Sequence, residues 1–206
     1  MYLDVLNRNP YSTNCWLLGA ADGVEAVVVD PGFDPVAVRA ELSRAGRTPV
    51  AVLATHGHAD HVGTAGVLCG DELPLFVHAA DVPAFTDEAA WDAGFPNPVS
   101  PVTDLRTIAD GDVLRFAGFS FEVLHTPGHT PGHCVFRTDA VLLSGDLVFA
   151  GSIGRSDFPN SSPEDMRRSL GRFLALPDDL PVLPGHGPTT TVGRERASNQ
   201  FLVELV

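Results

Sequence analysis

Between positions 55 and 61 the chain reads Thr55-His56-Gly57-His58-Ala59-Asp60-His61, which gathers three imidazoles and a carboxylate in one short segment. Neutral imidazole nitrogens and carboxylate oxygens are the donors that zinc, iron and manganese accept. In an extended or looping chain side chains two apart point the same way, so His56 and His58 address one position. Asp60 and His61 then turn toward a second. A lone histidine is ordinarily a satisfied core or surface residue. Four ligand-type side chains at this spacing are better explained by one loop that serves two metals.

Residues 125 to 133 read His125-Thr126-Pro127-Gly128-His129-Thr130-Pro131-Gly132-His133. Proline and glycine tighten such a loop and can hold one imidazole in a defined direction. Further on, Ser144-Gly145-Asp146 follows one apolar run and Pro184-Gly185-His186-Gly187-Pro188 follows another. Each is a weak signal alone, an acidic turn or a turn histidine. Together they supply ligands from distant parts of the chain.

Positioning these loops requires strands that end at them. Strand-like runs occur at Leu3–Leu6, Asn14–Leu18, Glu25–Val29, Val50–Ala54 and Pro74–His78. Four more follow at Val113–Phe116, Phe119–Leu124, His133–Arg137 and Ala140–Leu143, and a short one at Leu180–Leu183. Asp34-Pro35 reads as an N-cap followed by proline in the first turn, opening a helix that buries Val38 and Leu42. Ser162-Pro163 repeats that signature before an apolar stripe of Met166, Leu170, Phe173 and Leu174. A helix is expected from the histidine loop through Val67, a helix and an irregular excursion over Asp81–Pro101, and a closing helix over Gly193–Leu205. Strands dominate each half and helices follow them. The expected fold is α/β, two packed sheets with helices outside, a four-layered αββα sandwich.

The 206 residues suit one domain spanning 1–206, with no internal repeat and no glycine/serine linker. All 13 basic side chains are arginine, against 26 acidic ones, a net charge of −13. That field repels nucleic acid and anionic membrane surfaces, so neither is an expected partner. Cys15, Cys69 and Cys134 are too few and too scattered for a disulfide framework, which points to a reducing compartment. No basic segment followed by an apolar stretch opens the chain, and every apolar run falls short of the ~20 residues a membrane span needs. A cytoplasmic protein is expected.

The whole pattern, His-x-His-x-Asp-His, a later histidine, an aspartate after an apolar strand and a final Gly-His, resembles the metallo-β-lactamase superfamily. Thr126–Gly132 and the run Gly145–Pro159 (Gly-Asp-Leu-Val-Phe-Ala-Gly-Ser-Ile-Gly-Arg-Ser-Asp-Phe-Pro) resemble its glyoxalase II-like branch, the short bacterial hydroxyacylglutathione hydrolases. The resemblance implies that His56, His58 and His129 hold a first metal. It implies Asp60, His61 and His186 around a second, with Asp146 bridging the two. The implied cofactors are two divalent ions, zinc first, with iron or manganese accepted by the same donors.

The chemistry implied is hydrolysis of a small acyl-thioester, a hydroxyacyl-glutathione or similar thiol carrier, by a hydroxide held between the metals. A thiolate leaves with little acid assistance, since a free thiol has a pKa of about 8.5. The family implies that Asp60, besides binding its metal, orients the hydroxide as a catalytic residue. Arg155 stands where the branch has a cationic residue against the thiol carrier, while as a plain surface arginine it would pair with Asp157. His125 and His133 are either partners behind the ligands or ordinary strand-end residues. Asp30 is either a turn aspartate near the metals or a simple Asx turn, and His78 is read as structural.

The resemblance has limits. Only 20 residues of the sequence follow His186, so the helical domain of classical glyoxalase II is not expected here, and Pro188 stands where the family has a tyrosine. Persulfide dioxygenases share the fold and the Gly-Arg-(Ser/Thr)-Asp-Phe stretch at 154–158 but use one iron, and they place Asp where this chain has Pro131. Lactonases share the ligand set.

Overall fold

A computed structural model describes residues 1–7, 9–86, 99–203 and 205. In chain order its elements begin β1 (Tyr2–Leu6), β2 (Cys15–Gly19), β3 (Glu25–Val29), α1 (Pro35–Arg44) and β4 (Thr48–Leu53). Two short helices, α2 (Ala59–Val62) and α3 (Ala65–Cys69), precede β5 (Leu75–His78). A 3-10 turn at Ala79–Asp81, α4 (Pro83–Thr86) and β6 (Leu105–Ile108) complete the first half. The second half runs β7 (Val113–Phe116), β8 (Phe119–His125), β9 (Cys134–Arg137), β10 (Leu142–Gly145), β11 (Val148–Phe149) and β12 (Ser152–Ile153). It closes with α5 (Pro163–Leu174), β13 (Pro181–Pro184), β14 (Thr190–Thr191), α6 (Val192–Ser198) and α7 (Gln200–Val203).

Two six-stranded sheets form, ordered β1-β2-β3-β4-β5-β6 and β14-β13-β10-β9-β8-β7. Period-2 alternation assigns each strand's side chains to different cores. In β2, Cys15 and Leu17 join an outer core with α1 and α3, while Trp16 and Leu18 join the core between the sheets. In β10 and β13, Leu143 and Leu183 face that inner core, and Leu142 and Val182 face α5. Three apolar layers therefore separate four structural ones, and the sandwich is the αββα arrangement expected. Phe121 and Phe136, both 0% exposed, fill its centre. Each contributes about 1.5–3 kcal/mol through burial.

The helix signatures act as read. Asp34 Oδ1 accepts from Ala37 N at 2.8 Å and Ser162 Oγ from Asp165 N at 3.2 Å, each cap worth about 1 kcal/mol. The helix expected through Val67 is instead two short ones, and the closing helix breaks at Asn199. There the side chain leaves the helix to donate to Ser152 O at 2.9 Å, tying α6 to the hairpin β11–β12. Strands β6, β14 and that hairpin lie outside the expected strands, and β11, β12 and β14, two residues each, are too short for a periodic signal. The strand placed at Ala140–Leu143 runs two residues later, because Thr138 turns the chain through Ala140 N and Val141 N. Of the Asp81–Pro101 segment, α4 supplies the helix, and 87–98 lie outside the described residues. Among the described residues no helix is long and apolar enough to cross a membrane.

Candidate metal centre

Parallel strands end on one edge, so the loops leaving their C-terminal ends converge there. β3 and β4 are parallel in one sheet, as are β10 and β13 in the other. From those four ends emerge Asp30, the His56–His61 loop, Asp146 and His186, while His129 comes from the β8–β9 loop. Backbone ties bring the two sheets together at this edge. Cys134 N donates to Thr55 O at 2.8 Å and Asn14 N to Gly185 O at 2.7 Å, while within the second sheet Gly185 N donates to Gly145 O at 2.8 Å. Trp16 Nε1 and Asn14 Nδ2 both donate to Pro184 O at 3.0 Å, fixing the turn before His186. Gly145 lets the chain leave β10 at φ +48°, and a Cβ there would lie 2.5 Å from Thr55 Oγ1.

The seven expected ligand residues meet. His58 Nδ1 lies 3.1 Å from His56 Nε2 and 2.9 Å from His129 Nε2. His186 Nε2 lies 3.2 Å from Asp60 Oδ2 and 3.3 Å from His61 Nε2. Asp146 stands between the two groups, with Oδ1 3.3 Å from His61 Nε2 and Oδ2 3.4 Å from His129 Nε2. Six of the seven are buried, and the His186 side chain remains 27% exposed.

Bonds on the far side of each ring determine which nitrogen faces inward. Asp30 Oδ2 accepts from His61 Nδ1 at 2.9 Å and from Thr55 Oγ1 at 2.7 Å. Since the Thr55 hydroxyl proton goes to Asp30, the 3.0 Å contact from His56 Nδ1 to Thr55 Oγ1 carries the imidazole proton. His129 Nδ1 donates to Arg155 O at 2.7 Å. In all three rings the neutral form therefore presents a bare Nε2 to the centre. The bare Nε2 atoms of His56 and His129 both converge on His58 Nδ1, which carries at most one proton, so the cluster has more lone pairs than protons and suits a cation. Oδ1 of Asp60 is likewise buried with no hydrogen-bond partner among the described residues. Both features fit a bound divalent ion.

The electrostatics differ between the groups. Burial, reinforced by the neighbouring histidines, holds His56 well below its ordinary pKa, and burial with His129 takes His58 to about 3. Burial also lowers His129. His61 goes the other way: burial opposes its charge, but Asp60, Asp146 and Asp30 together hold its pKa well above the ordinary value. His186 is raised too, burial being outweighed by Asp60 and Asp146. Despite burial, the surrounding histidines keep Asp60 and Asp146 ionised, below the usual carboxylate range. One end of the site is a neutral three-imidazole cup and the other is anionic.

Of the residues left with two readings, Asp30 and His133 stand behind ligands. His133 is fully buried, and its Nε2 accepts from Asp146 N at 3.0 Å while Nδ1 donates to Thr126 Oγ1 at 2.9 Å. His125 lies outside the site, donating to Pro131 O at 2.9 Å and stacking on His78 with ring centroids 3.9 Å apart. The Arg155 guanidinium is exposed and bidentate to Asp157, at 2.8 and 2.9 Å, with its carbon 4.4 Å over the Phe158 ring. Phe158 stands edge-on to His58 and His129, and Phe149 stands edge-on to His186. Sequence reading missed these two walls. It also missed Thr13, whose Oγ1 donates to Asp60 Oδ2 at 3.0 Å, and the buried Asp81. No spacing links either residue to the motifs.

Comparison with known proteins agrees with this geometry. The family described as the metallo-beta-lactamase superfamily matches residues 8–186. Among curated proteins, hydroxyacylglutathione hydrolase GloC of Haemophilus influenzae is 34% identical, covering 98% of each chain. Among solved structures, BLEG-1 B3 metallo-β-lactamase is 34% identical with a TM-score of 0.87, covering 98% of this chain and 99% of that one. TTHA1623 in a di-iron-bound form is 39% identical with a TM-score of 0.84, covering 98% of this chain and 100% of that one.

Proposed function

The chain belongs to the metallo-β-lactamase superfamily, and from that premise we propose that it is a two-metal hydrolase of small acyl-thioesters. The observation that carries the two-metal reading is Asp146, whose carboxylate oxygens face His61 on one side and His129 on the other. His56, His58 and His129 would hold one ion, Asp60, His61 and His186 the other, and Asp146 would reach both. Bound there, two divalent ions supply hydroxide at neutral pH and Lewis acidity toward the acyl carbonyl.

The chain's own residues do the rest. Asp60, ionised and fixed by Thr13, orients the attacking oxygen through its unpartnered Oδ1. Phe158 and Phe149 flank the two ends of the centre, limiting water and offering apolar surface to an acyl group. Arg155, stacked on Phe158, offers a guanidinium to a carboxylate of the thiol carrier once it exchanges Asp157. The likeness to GloC supports the thioester class, and the likeness to the di-iron form of TTHA1623 makes iron as reasonable as zinc. The Asp60–His61–His186 set gives a second ion a place, and the number of ions per chain separates this reading from the one-iron dioxygenase. Three free buried thiols fit a cytoplasmic workplace.

The test is elemental analysis of protein purified without added metal, followed by turnover of thioesters, lactones and β-lactams. About two ions per chain and a kcat/KM highest on thioesters support the proposal. One iron per chain with oxygen uptake on persulfide, or preference for a lactone or β-lactam, overturns it. His129→Ala and Asp146→Ala are each expected to lower turnover at least about 10²-fold.

A further inference from the structure

We propose that Asp81, which belongs to neither ligand set, is the positioning residue for the three-histidine metal position. It clamps the two loops that carry those histidines onto one buried carboxylate. The inference rests on the two-metal reading above.

Asp81 ends the 3-10 turn after β5, and β5 pairs in parallel with β4, so Asp81 lies at the edge where the His56–His61 loop emerges. It is 0% exposed. Oδ2 accepts from Gly57 N at 2.9 Å and from Thr130 Oγ1 at 2.7 Å. Oδ1 accepts from Gly132 N at 2.6 Å. Gly57 separates His56 from His58, and Thr130 follows His129. One carboxylate therefore joins two loops some 70 residues apart, the same loops whose His58 Nδ1 and His129 Nε2 stand 2.9 Å apart, 71 residues along the chain.

The choice of residue type is informative. No arginine or histidine pairs with Asp81 among the described residues, and an ionised carboxylate buried without a countercharge is costly. Burial pushes its pKa up to about 6, the three hydrogen bonds opposing that rise. A carboxylate nevertheless fits this place because it accepts at both oxygens and donates from neither, matching three donors. Asparagine would set an NH₂ group against one of them. The approach is close: a Cβ on Gly132 would lie 2.5 Å from Asp81 Oδ1, so glycine is required there.

The second metal position is held otherwise. Thr13 fixes Asp60, Asp30 fixes His61, and Asn14 with Trp16 fixes the turn before His186. Asp81 touches none of these, so its loss should be felt at one position only.

The test uses cobalt(II) alone as the probe, competed with a chelator, in the full chain. A His186→Ala background isolates the three-histidine position and a His129→Ala background isolates the other. Asp81→Asn is expected to weaken cobalt at the three-histidine position at least about tenfold, and to leave the other within about twofold. Thr130→Val, which removes one bond and keeps the carboxylate, should give a smaller loss at the same position. This variant keeps the test decisive if Asp81→Asn does not fold. In the two-metal protein kcat should fall with KM for a thioester unchanged. Unchanged affinity in both variants, or equal losses at both positions accompanied by a lower Tm, overturns the proposal and makes Asp81 a purely structural residue. An unsubstituted chain that binds no cobalt overturns instead the metal reading beneath it.

Discussion

Asp30 Oδ2 accepts a hydrogen bond from His61 Nδ1 at 2.9 Å, joining the end of β3 to the helix that follows β4 and turning Nε2 of His61 toward Asp60, Asp146 and His186. The aspartate is held for this by Thr55, whose backbone N–H and hydroxyl both donate to it. It sits at φ +52°, a conformation that asparagine also tolerates. Asp30→Asn should therefore keep the fold and weaken metal binding at the Asp60–His61–His186 position about 10- to 100-fold. Chelator competition reads this. Unchanged affinity would mean that His61 is oriented by its metal alone.

Arg155 offers a cleaner separation of binding from chemistry. Its side chain is exposed, and only its backbone carbonyl touches a ligand residue, through His129 Nδ1. Arg155→Ala should raise KM severalfold for a thioester whose carrier bears a carboxylate, with kcat and the hydrolysis of an uncharged ester nearly unchanged. An equal loss on both substrates would assign the guanidinium to supporting Phe158.

Removing metal should destabilise the fold. Nε2 of His56 and His129 converge on His58 Nδ1, and the ionised Asp60 and Asp146 repel one another across the site, so the metal-free arrangement carries repulsion that a cation removes. At free metal a hundredfold above Kd each ion adds about 2.7 kcal/mol. For a chain of this size that corresponds to a Tm lower by roughly 5–10 °C per ion after chelation. A scanning-calorimetry trace unchanged by chelator would contradict both metal positions.

The thiols predict an alkaline limit. Burial pushes Cys69 up to about 11 and raises Cys15 and Cys134 further, so all three stay protonated in the folded chain at pH 9. Above the ordinary thiol pKa the unfolded chain releases protons that the folded chain keeps. Stability thus falls as pH rises, by up to about 1.4 kcal/mol per unit per thiol. Urea midpoints at pH 8 and pH 10 measure the fall. A disulfide-type thiol reagent should find no reactive cysteine in the native protein at pH 8 and three in urea; rapid native reaction would show that these residues are accessible.

What the amino-acid sequence determined by itself was local. The spacing of His56, His58, Asp60 and His61 is a ligand set before any fold is known, because alternation and a following turn divide it between two positions. Asp34-Pro35 and Ser162-Pro163 start helices with caps made within three residues. Alternating apolar runs placed most strands, and with them the layered sandwich, since each face had to find a core. Strands as short as β11, β12 and β14 left no periodic trace.

The tertiary structure alone decided what each donor does. Asp30, His133 and His125 carry equal marks in the sequence, yet the fold puts the first two behind ligands and the third against Pro131. Which imidazole nitrogen faces the centre depends on partners such as Asp30, 31 positions from His61, and Arg155 O, 26 positions from His129. Asp81 has no motif, and its meaning comes wholly from meeting Gly57, Thr130 and Gly132. A residue type can announce that it binds metal, because that capacity lies in its own atoms. Which proton it carries and which loop it holds are properties of contacts between distant segments, and only packing creates those.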